Sequence, residues 1–447
     1  MSPAPTNPPV RHCVLALAWL ACGAAAFAQG NTEAEAGGGV TAPDTIPAGA
    51  TATAPATEVA TPADDIASSE NLLKSSVAEF GRNSMQTAEA YVGLGDAQRA
   101  AEDHEKAAES YLAAVEVYRA LEGPFTPLAI APLTSLGDNY HEAHDDTGAV
   151  SAYSEARVVS RRVYGLHNVE QIDLLDRMSE SLLDLNQLAE AEAQQLEALR
   201  LVQRANPPAS DAVLEAIYKY AEWLGERGMY QLQRDQYLRA QRIIRQAYGD
   251  EDVRQARALL GIGNTFRNER NPAGPGISAL TDALALLRAQ PEGDPLAIAT
   301  ALRDIGDWNT SFGKSGYDGV EYQRSWELLG AVADGDRLRK EWYAGANYVL
   351  YEPISQRGVS TEPKALPGHV LVKFDIDTAG NPSNVMLIES SPVGFKDEAV
   401  LRHIRRSRFR PWVVDGATVE GQGLAIRVDF RYLPEAVTSE TNNETRH

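Results

Sequence analysis

Apolar and small residues recur at helical spacing from about residue 70 to 340, in blocks that repeat. One small position in each first helix falls at Gly95, Gly137, Glu180, Ala221, Gly263 and Gly306, with intervals of 42, 43, 41, 42 and 43; Glu180 alone is not small. A bulky position in each second helix falls at Tyr111, Tyr153, Leu196, Tyr237, Leu280 and Tyr322, with intervals of 42, 43, 41, 43 and 42. Two independent anchors therefore give one period, and the pattern predicts six helix pairs. A small residue lets the first helix lie close to the second, the large ring is expected to fill the space between neighbouring pairs, and a pair that cannot bury its apolar face alone must stack on its neighbours. Residues 336–346 are expected to add a short capping helix.

Near residue 347 the pattern switches to alternation of period two. Val370, Val372 and Phe374 share one face of a strand. Asp377 to Asn381 reads as a hairpin turn with Gly380 free to take positive φ. Val385 to Glu389 returns as a second strand, and Phe395 to Arg406 is helical until Pro411 prevents continuation. Leu424, Ile426, Val428 and Phe430 then point one way along a last strand, with Arg427, Asp429 and Arg431 opposite. The order is β-β-α-β. The fold class is thus α+β and multidomain: an α-solenoid of about six helix pairs, then a small mixed domain.

The N-terminus reads as an export signal. Arg11 and His12 precede the apolar run Cys13 to Ala21, and Ala26-Phe27-Ala28 is a cleavage site of the A-x-A kind. Residues 13–28 are too few to span a bilayer, which needs about 20 apolar residues. The alternatives are an uncleaved anchor and a lipoprotein acylated at Cys22. The expected domains are 1–28 signal peptide, 29–69 disordered Ala/Thr/Pro-rich linker, 70–346 helical repeats, 347–434 mixed domain and 435–447 disordered tail. Cys13 and Cys22 are the only cysteines, so the chain beyond the signal can form no disulfide, thiolate site or cysteine nucleophile.

Charge narrows the partners. With 41 Lys and Arg against 62 Asp and Glu, the net charge of −21 repels phosphate backbones, and nucleic acid is not an expected partner. Residues 364–433 hold ten Lys/Arg and eight Asp/Glu, so the small domain is mildly basic beside an acidic array. The two could dock through that difference, or Arg405 and Arg408 could meet an anionic surface. His141 and His144 lack the i, i+4 spacing of a zinc helix. Asp375 to Ala379 lacks the fifth ligand of a calcium loop. No Walker motif, dinucleotide fingerprint or nucleophile elbow occurs. No enzyme activity, cofactor or metal is expected.

The repeats, with the linkers Tyr164-Gly165-Leu166-His167 and Tyr248-Gly249-Asp250-Glu251, resemble tetratricopeptide (TPR) repeats in the longer form found in kinesin light chains. That resemblance implies a concave face, lined by first helices, that holds peptides or partner domains. Counting from the small anchor puts Asp138, His141, Arg177, Tyr218, Glu222, Asn264, Arg267, Arg303 and Asp307 there. The alternative is that these are solvated residues on a rigid spacer.

Gly368-His369-Val370-Leu371-Val372-Lys373-Phe374-Asp375-Ile376-Asp377 with Gly380, Ser390-Ser391-Pro392 with Phe395, Arg405 to Pro411, and Asp415-Gly416 together resemble the TonB C-terminal domain. The resemblance implies a Gram-negative periplasmic domain that adds a strand from a receptor's short TonB box to its own edge, here Leu424, Ala425, Ile426, Arg427, Val428, Asp429 and Phe430. Three features depart from a true energy transducer: an export signal stands where it keeps a transmembrane helix, a short Ala-Thr-Pro tether plus repeats replaces its long Pro-Glu/Pro-Lys spacer, and the Gln-Pro and Tyr-Pro stretch before the family's first hairpin is degenerate here, reading Glu352-Pro353 to Glu362-Pro363. The expectation is a periplasmic adaptor whose repeats and TonB-like domain bind an envelope protein or peptide, such as a TonB-dependent outer-membrane receptor, with self-association through the C-terminal sheet as a further option. The alternative is an energy transducer, or an accessory to outer-membrane receptor-dependent transport.

Overall fold

The structure, a computed structural model, describes residues 62–313, 316–360 and 364–434. The expected signal peptide with both cysteines, most of the expected linker and the expected tail lie outside them. The chain divides after Pro207 into two compact units. The first holds α1 (Pro62–Phe80), α2 (Met85–Ala100), α3 (His104–Glu122), α4 (Ile130–Glu142), α5 (Asp146–Tyr164), α6 (Ile172–Asp184) and α7 (Leu188–Ala205). The second begins with α8 (Asp211–Glu226), α9 (Tyr230–Tyr248), α10 (Gln255–Asn268), α11 (Gly276–Arg288), α12 (Pro295–Phe312), α13 (Val320–Leu329) and α14 (Gly335–Tyr343). The helix pairs are α2/α3, α4/α5 and α6/α7 in the first unit, and α8/α9, α10/α11 and α12/α13 in the second.

α1 starts at Pro62, inside the stretch expected as linker up to residue 69. Proline fits the first helical turn, and Asp64 and Asp65 there meet the positive end of the helix dipole.

The anchor spacing becomes contact. Tyr111, Tyr153 and Tyr322 lie against Gly95, Gly137 and Gly306 of the same pair, where an added Cβ would fall 2.7, 2.3 and 2.5 Å from a ring carbon. All three rings are fully or almost fully buried. Where Ala221 replaces glycine, the ring of Tyr237 instead sits against Gly261 of the following pair. The turns inside the pairs keep the same period: Glu102, His144, Asn186, Gly228 and Arg270 have positive φ, each 42 residues after the last.

The mixed domain begins with β1 (Tyr348–Leu350), followed by β2 (Leu366–Ile376), β3 (Pro382–Ser391), α15 (Asp397–Arg406), β4 (Arg408–Phe409), β5 (Trp412–Val414), β6 (Ala417–Val419) and β7 (Gly421–Tyr432). The main sheet is antiparallel in the order β3-β2-β7, and β1 pairs with β4, β5 with β6. Alternation decides the faces as expected: Val370, Val372, Phe374 and Ile376 are fully buried with Val400, Ile404 and Phe409, and Leu424, Ile426, Val428 and Phe430 pack on the same core. In the β2–β3 turn, Asp377 Oδ1 accepts the backbone N–H groups of Ala379 (2.9 Å) and Asn381 (2.8 Å). No described helix is long and apolar enough to cross a membrane.

Candidate functional site

In the first unit, Asp138 follows the small anchor Gly137. Its Oδ1 accepts Tyr153 Oη at 2.7 Å and Arg177 Nη1 at 2.6 Å, and Arg99 Nη1 lies 3.7 Å from Oδ2. Arg177 also donates to Asp173 Oδ2 at 2.9 Å. Burial opposes the Arg177 charge, but Asp173 and Asp138 outweigh it and raise its pKa. His141 Nδ1 bonds Asp146 Oδ1 at 2.7 Å, with Asp184 Oδ2 at 3.8 Å and Ser181 Oγ at 3.3 Å. Burial alone would lower the His141 pKa; the surrounding carboxylates, Asp146 foremost, raise it instead. This cluster joins three helices, so helical spacing of histidines could not reveal it.

The same aspartate–tyrosine bond occurs three times. Tyr111 donates to Asp96 at 2.7 Å, Tyr153 to Asp138, and Tyr322 to Asp307 at 3.0 Å. In each case the aspartate follows the glycine anchor and the tyrosine comes fifteen residues later, a pattern legible in the sequence. A buried phenol needs a partner, and a carboxylate one residue past the anchor supplies it.

In the second unit the expected groove residues divide. Tyr218 is buried, with the Arg257 guanidinium 4.2 Å from its ring centroid; burial pushes its hydroxyl pKa up to about 12. Glu222 is exposed and meets Arg257 at 3.2 Å. Asn264 donates to Asp304 Oδ2 at 2.7 Å, and Arg303 lies on Asp304 Oδ1 at 2.9 Å and over the Trp342 ring at 4.2 Å.

Arg267 and Asp307 are not free groove residues. Arg267 Nη1 donates to Asp307 Oδ2 at 2.7 Å. Arg410, from the mixed domain, grips the same carboxylate as a fork, with Nε on Oδ1 at 2.9 Å and Nη2 on Oδ2 at 2.8 Å. Its Nη1 donates to Trp342 O at 2.9 Å. Asp307 and Arg410 are both deeply buried. Burial would raise the Asp307 pKa, but Arg410 and then Arg267 hold it well below the usual carboxylate range. The mildly basic domain thus meets the repeats, as one of the two options for its charge had it, through Arg410.

Apolar packing joins this contact. Val413 of β5 shares a cluster with Ala299, Tyr322, Leu329 and Tyr343. Trp412 Nε1 donates to Gly345 O at 2.9 Å. Nearby, Glu352 Oε2 accepts Arg270 Nη1 at 2.6 Å. An added Cβ at Gly380 would fall 2.7 Å from Thr310 Cγ2 of α12, so the hairpin turn presses on the last repeat.

The expected strand-adding residues, Leu424 to Phe430, lie in β7 at one edge of the sheet. Among the described residues, the outer edge is met at its far end, where Val359 bridges Tyr432 and Ser360 N donates to Arg431 O at 2.9 Å. Arg431 therefore turns its carbonyl outward. Alternation along the strand then sends the N–H and C=O of Ala425, Arg427 and Asp429 outward too, while Ile426, Val428 and Phe430 bond to β2. Among the described residues no other strand pairs with that stretch.

Comparison with known proteins agrees with both modules. Residues 86–157 match the tetratricopeptide repeat model, and residues 363–432 match the model of the Gram-negative bacterial TonB protein C-terminal domain. The chain therefore carries tetratricopeptide repeats and, at its C-terminal end, a TonB-like domain. Among solved structures, the chain is similar to BtubC from P. vanneervenii (16% identity, 68% of this chain and 98% of that one, TM-score 0.32). It is also similar to kinesin light chain-type TPR-like repeats from Podosopora anserina (11% identity, 46% and 97%, TM-score 0.34). A third similar structure is a signal transduction ATPase with a tetratricopeptide repeat sensor from Pyrococcus horikoshii (12% identity, 63% and 43%, TM-score 0.37). No curated protein matches the chain.

Proposed function

We propose that this chain is a periplasmic protein-interaction adaptor that holds a partner's extended segment on the free edge of β7. Both modules are of kinds that mediate protein–protein contacts. The observation that carries the reading is the outer edge of β7 itself, whose outward backbone groups at Ala425, Arg427 and Asp429 have no strand partner among the described residues. Backbone bonds to such an edge give affinity with little demand on sequence. The inward residues anchor the strand on the core, so the edge is a firm template. The exposed charges of the repeats, such as Glu222, suit an additional contact with a partner's polypeptide.

Binding of a TonB-box peptide to the full chain, followed by fluorescence anisotropy, tests this. Arg427→Pro removes one outward donor and leaves the ladder to β2 intact, so it should abolish binding while the circular dichroism spectrum stays unchanged. Undiminished binding by that variant contradicts the reading.

The TonB C-terminal match favours one competing role, energy transduction to an outer-membrane receptor. The mature N-terminus, read by mass spectrometry of fractionated cells, separates the two. A chain starting at Gln29 in the soluble periplasm, or one acylated at Cys22, fits an adaptor; a retained Met1 in the inner membrane fits a transducer.

A further inference from the structure

Three oxygens converge on one ring nitrogen in the first unit. His141 Nδ1 lies 2.7 Å from Asp146 Oδ1, 3.3 Å from Ser181 Oγ and 3.8 Å from Asp184 Oδ2. A ring nitrogen has one hydrogen to give or one lone pair to offer. If Nδ1 donates to Asp146, the hydroxyl hydrogen of the fully buried Ser181 has no acceptor among the described residues. If Ser181 donates to Nδ1, that lone pair faces the Asp146 carboxylate with no hydrogen between them. Neither arrangement satisfies the cluster.

Its charge is also uncompensated. Asp146 is nine-tenths buried, and neither it nor Asp184 meets a lysine or arginine among the described residues. Glu180 adds to the negative potential at the ring. Arg99, the nearest arginine in the sequence of contacts, is engaged by Asp138 at 3.7 Å and Glu142 at 3.6 Å. Asp146 opens α5, the helix end that suits an acid, but Asp184 closes α6, where the helix dipole disfavours one.

We propose that His141, Asp146 and Asp184 bind a divalent cation of the zinc class, with Nδ1, Oδ1 and Oδ2 as its ligands. Zinc takes imidazole nitrogen and carboxylate oxygen at about 2.0–2.2 Å, so tetrahedral ligands stand about 3.4 Å apart. The two separations from Nδ1, 2.7 and 3.8 Å, bracket that spacing, and the three atoms all lie within 4.8 Å of one another. Small side-chain rotations close the set, and water completes the shell beside the exposed Asp184. The imidazole ligand selects zinc-like ions over magnesium and calcium, which prefer oxygen alone. His144 lies outside the set, because α5 and α6 supply the other ligands. The ion ties α4 and α5 of one helix pair to α6 of the next.

Isothermal titration of the full chain with zinc chloride, after stripping with a chelator that is then removed, tests this. One ion per chain should bind in the tightest phase and raise the melting temperature. Asp184→Asn, at an exposed position, should weaken that phase by about tenfold or more, as loss of an outer-shell partner alone already does, and leave the circular dichroism spectrum unchanged. His141→Asn should do the same; if it perturbs folding, Asp184→Asn carries the test. His144→Asn should leave the affinity intact, which separates this site from loose capture by surface histidines. Millimolar magnesium or calcium should not displace the zinc. A chain that takes up no zinc overturns the proposal. So does an affinity that survives Asp184→Asn, one that falls equally with His144→Asn, or ready displacement by magnesium or calcium.

Discussion

Arg410 stands to Asp307 as Arg177 stands to Asp138. Each aspartate follows a glycine anchor and holds a tyrosine hydroxyl, and each takes an arginine from the unit that comes after it in the chain. For Asp138 that unit is the next helix pair; for Asp307 it is the TonB-like domain. Arg99 and Arg267 complete the parallel, reaching the two carboxylates from the preceding pair. The TonB-like domain thus ends the second unit's repeats by supplying the arginine that a further repeat would have supplied.

Breaking this fork leaves a buried charge short of a partner, a change that typically costs about 3–5 kcal/mol. Arg410→Ala should therefore lower the stability of the second unit by that order, and calorimetry should show the domain melting apart from the repeats. Arg410→Lys should not restore the single transition, because an ammonium cannot make the two-pronged contact. Arg402→Ala, on the exposed face of α15, should change nothing.

The histidines give pH dependences of opposite sign. His403 is buried, its Nε2 2.7 Å from Tyr348 Oη and its Nδ1 against Glu352 O. Burial lowers its pKa from the ordinary value of about 6.5, the Glu352 contacts only opposing this. Its contribution is present above about pH 6.5 and is lost as pH falls toward its folded value. His141 has a raised pKa, so its contribution is present below about pH 6.5 and is lost as pH rises through its folded value. Denaturant titrations across this range should show His403→Asn flattening the acid-side loss and His141→Asn flattening the alkaline-side loss.

Asp307 sets a lower limit. Its depressed pKa means that the stability from the fork is present above about pH 3.9 and is lost as pH falls below it. Acid titration should release the TonB-like domain before it melts isolated helices, and Asp307→Asn should remove that acid step.

Gly137→Ala tests the packing of the pairs. The new methyl would fall 2.3 Å from the Tyr153 ring, which is itself held by Asp138. Overpacking of this kind costs about 1–3 kcal/mol, more than the helix propensity of alanine returns, so the denaturation midpoint should fall. Gly93→Ala, in open space on α2, should be neutral or stabilising.

Much of the fold was legible because local pattern and packing agree. The Gly95, Gly137 and Gly306 series marked where helices lie close, but the tyrosine rings, expected between neighbouring pairs, pack on the glycine of their own pair; the alternation Val370, Val372, Phe374 predicted the buried face. The surroundings of Asp307 and Arg267 were not legible. Their position on a first helix marked them for a groove, but the group that buries Asp307 lies 103 residues later in the chain. No local spacing encodes such a pair. The edge position of β7 was accessible only through resemblance, because periodicity assigns faces and not the order of strands.

The central claim is that β7 offers an open backbone edge to a partner strand, and amide hydrogen exchange resolved to single residues tests it most directly. In the free chain Ala425, Arg427 and Asp429 should exchange fast, and Ile426 and Val428 slowly. On addition of a TonB-box peptide the first three should become protected while the other two stay as they were. Protection that is already uniform along β7 in the free chain, or peptide binding that leaves Ala425, Arg427 and Asp429 exchanging fast, would contradict the account.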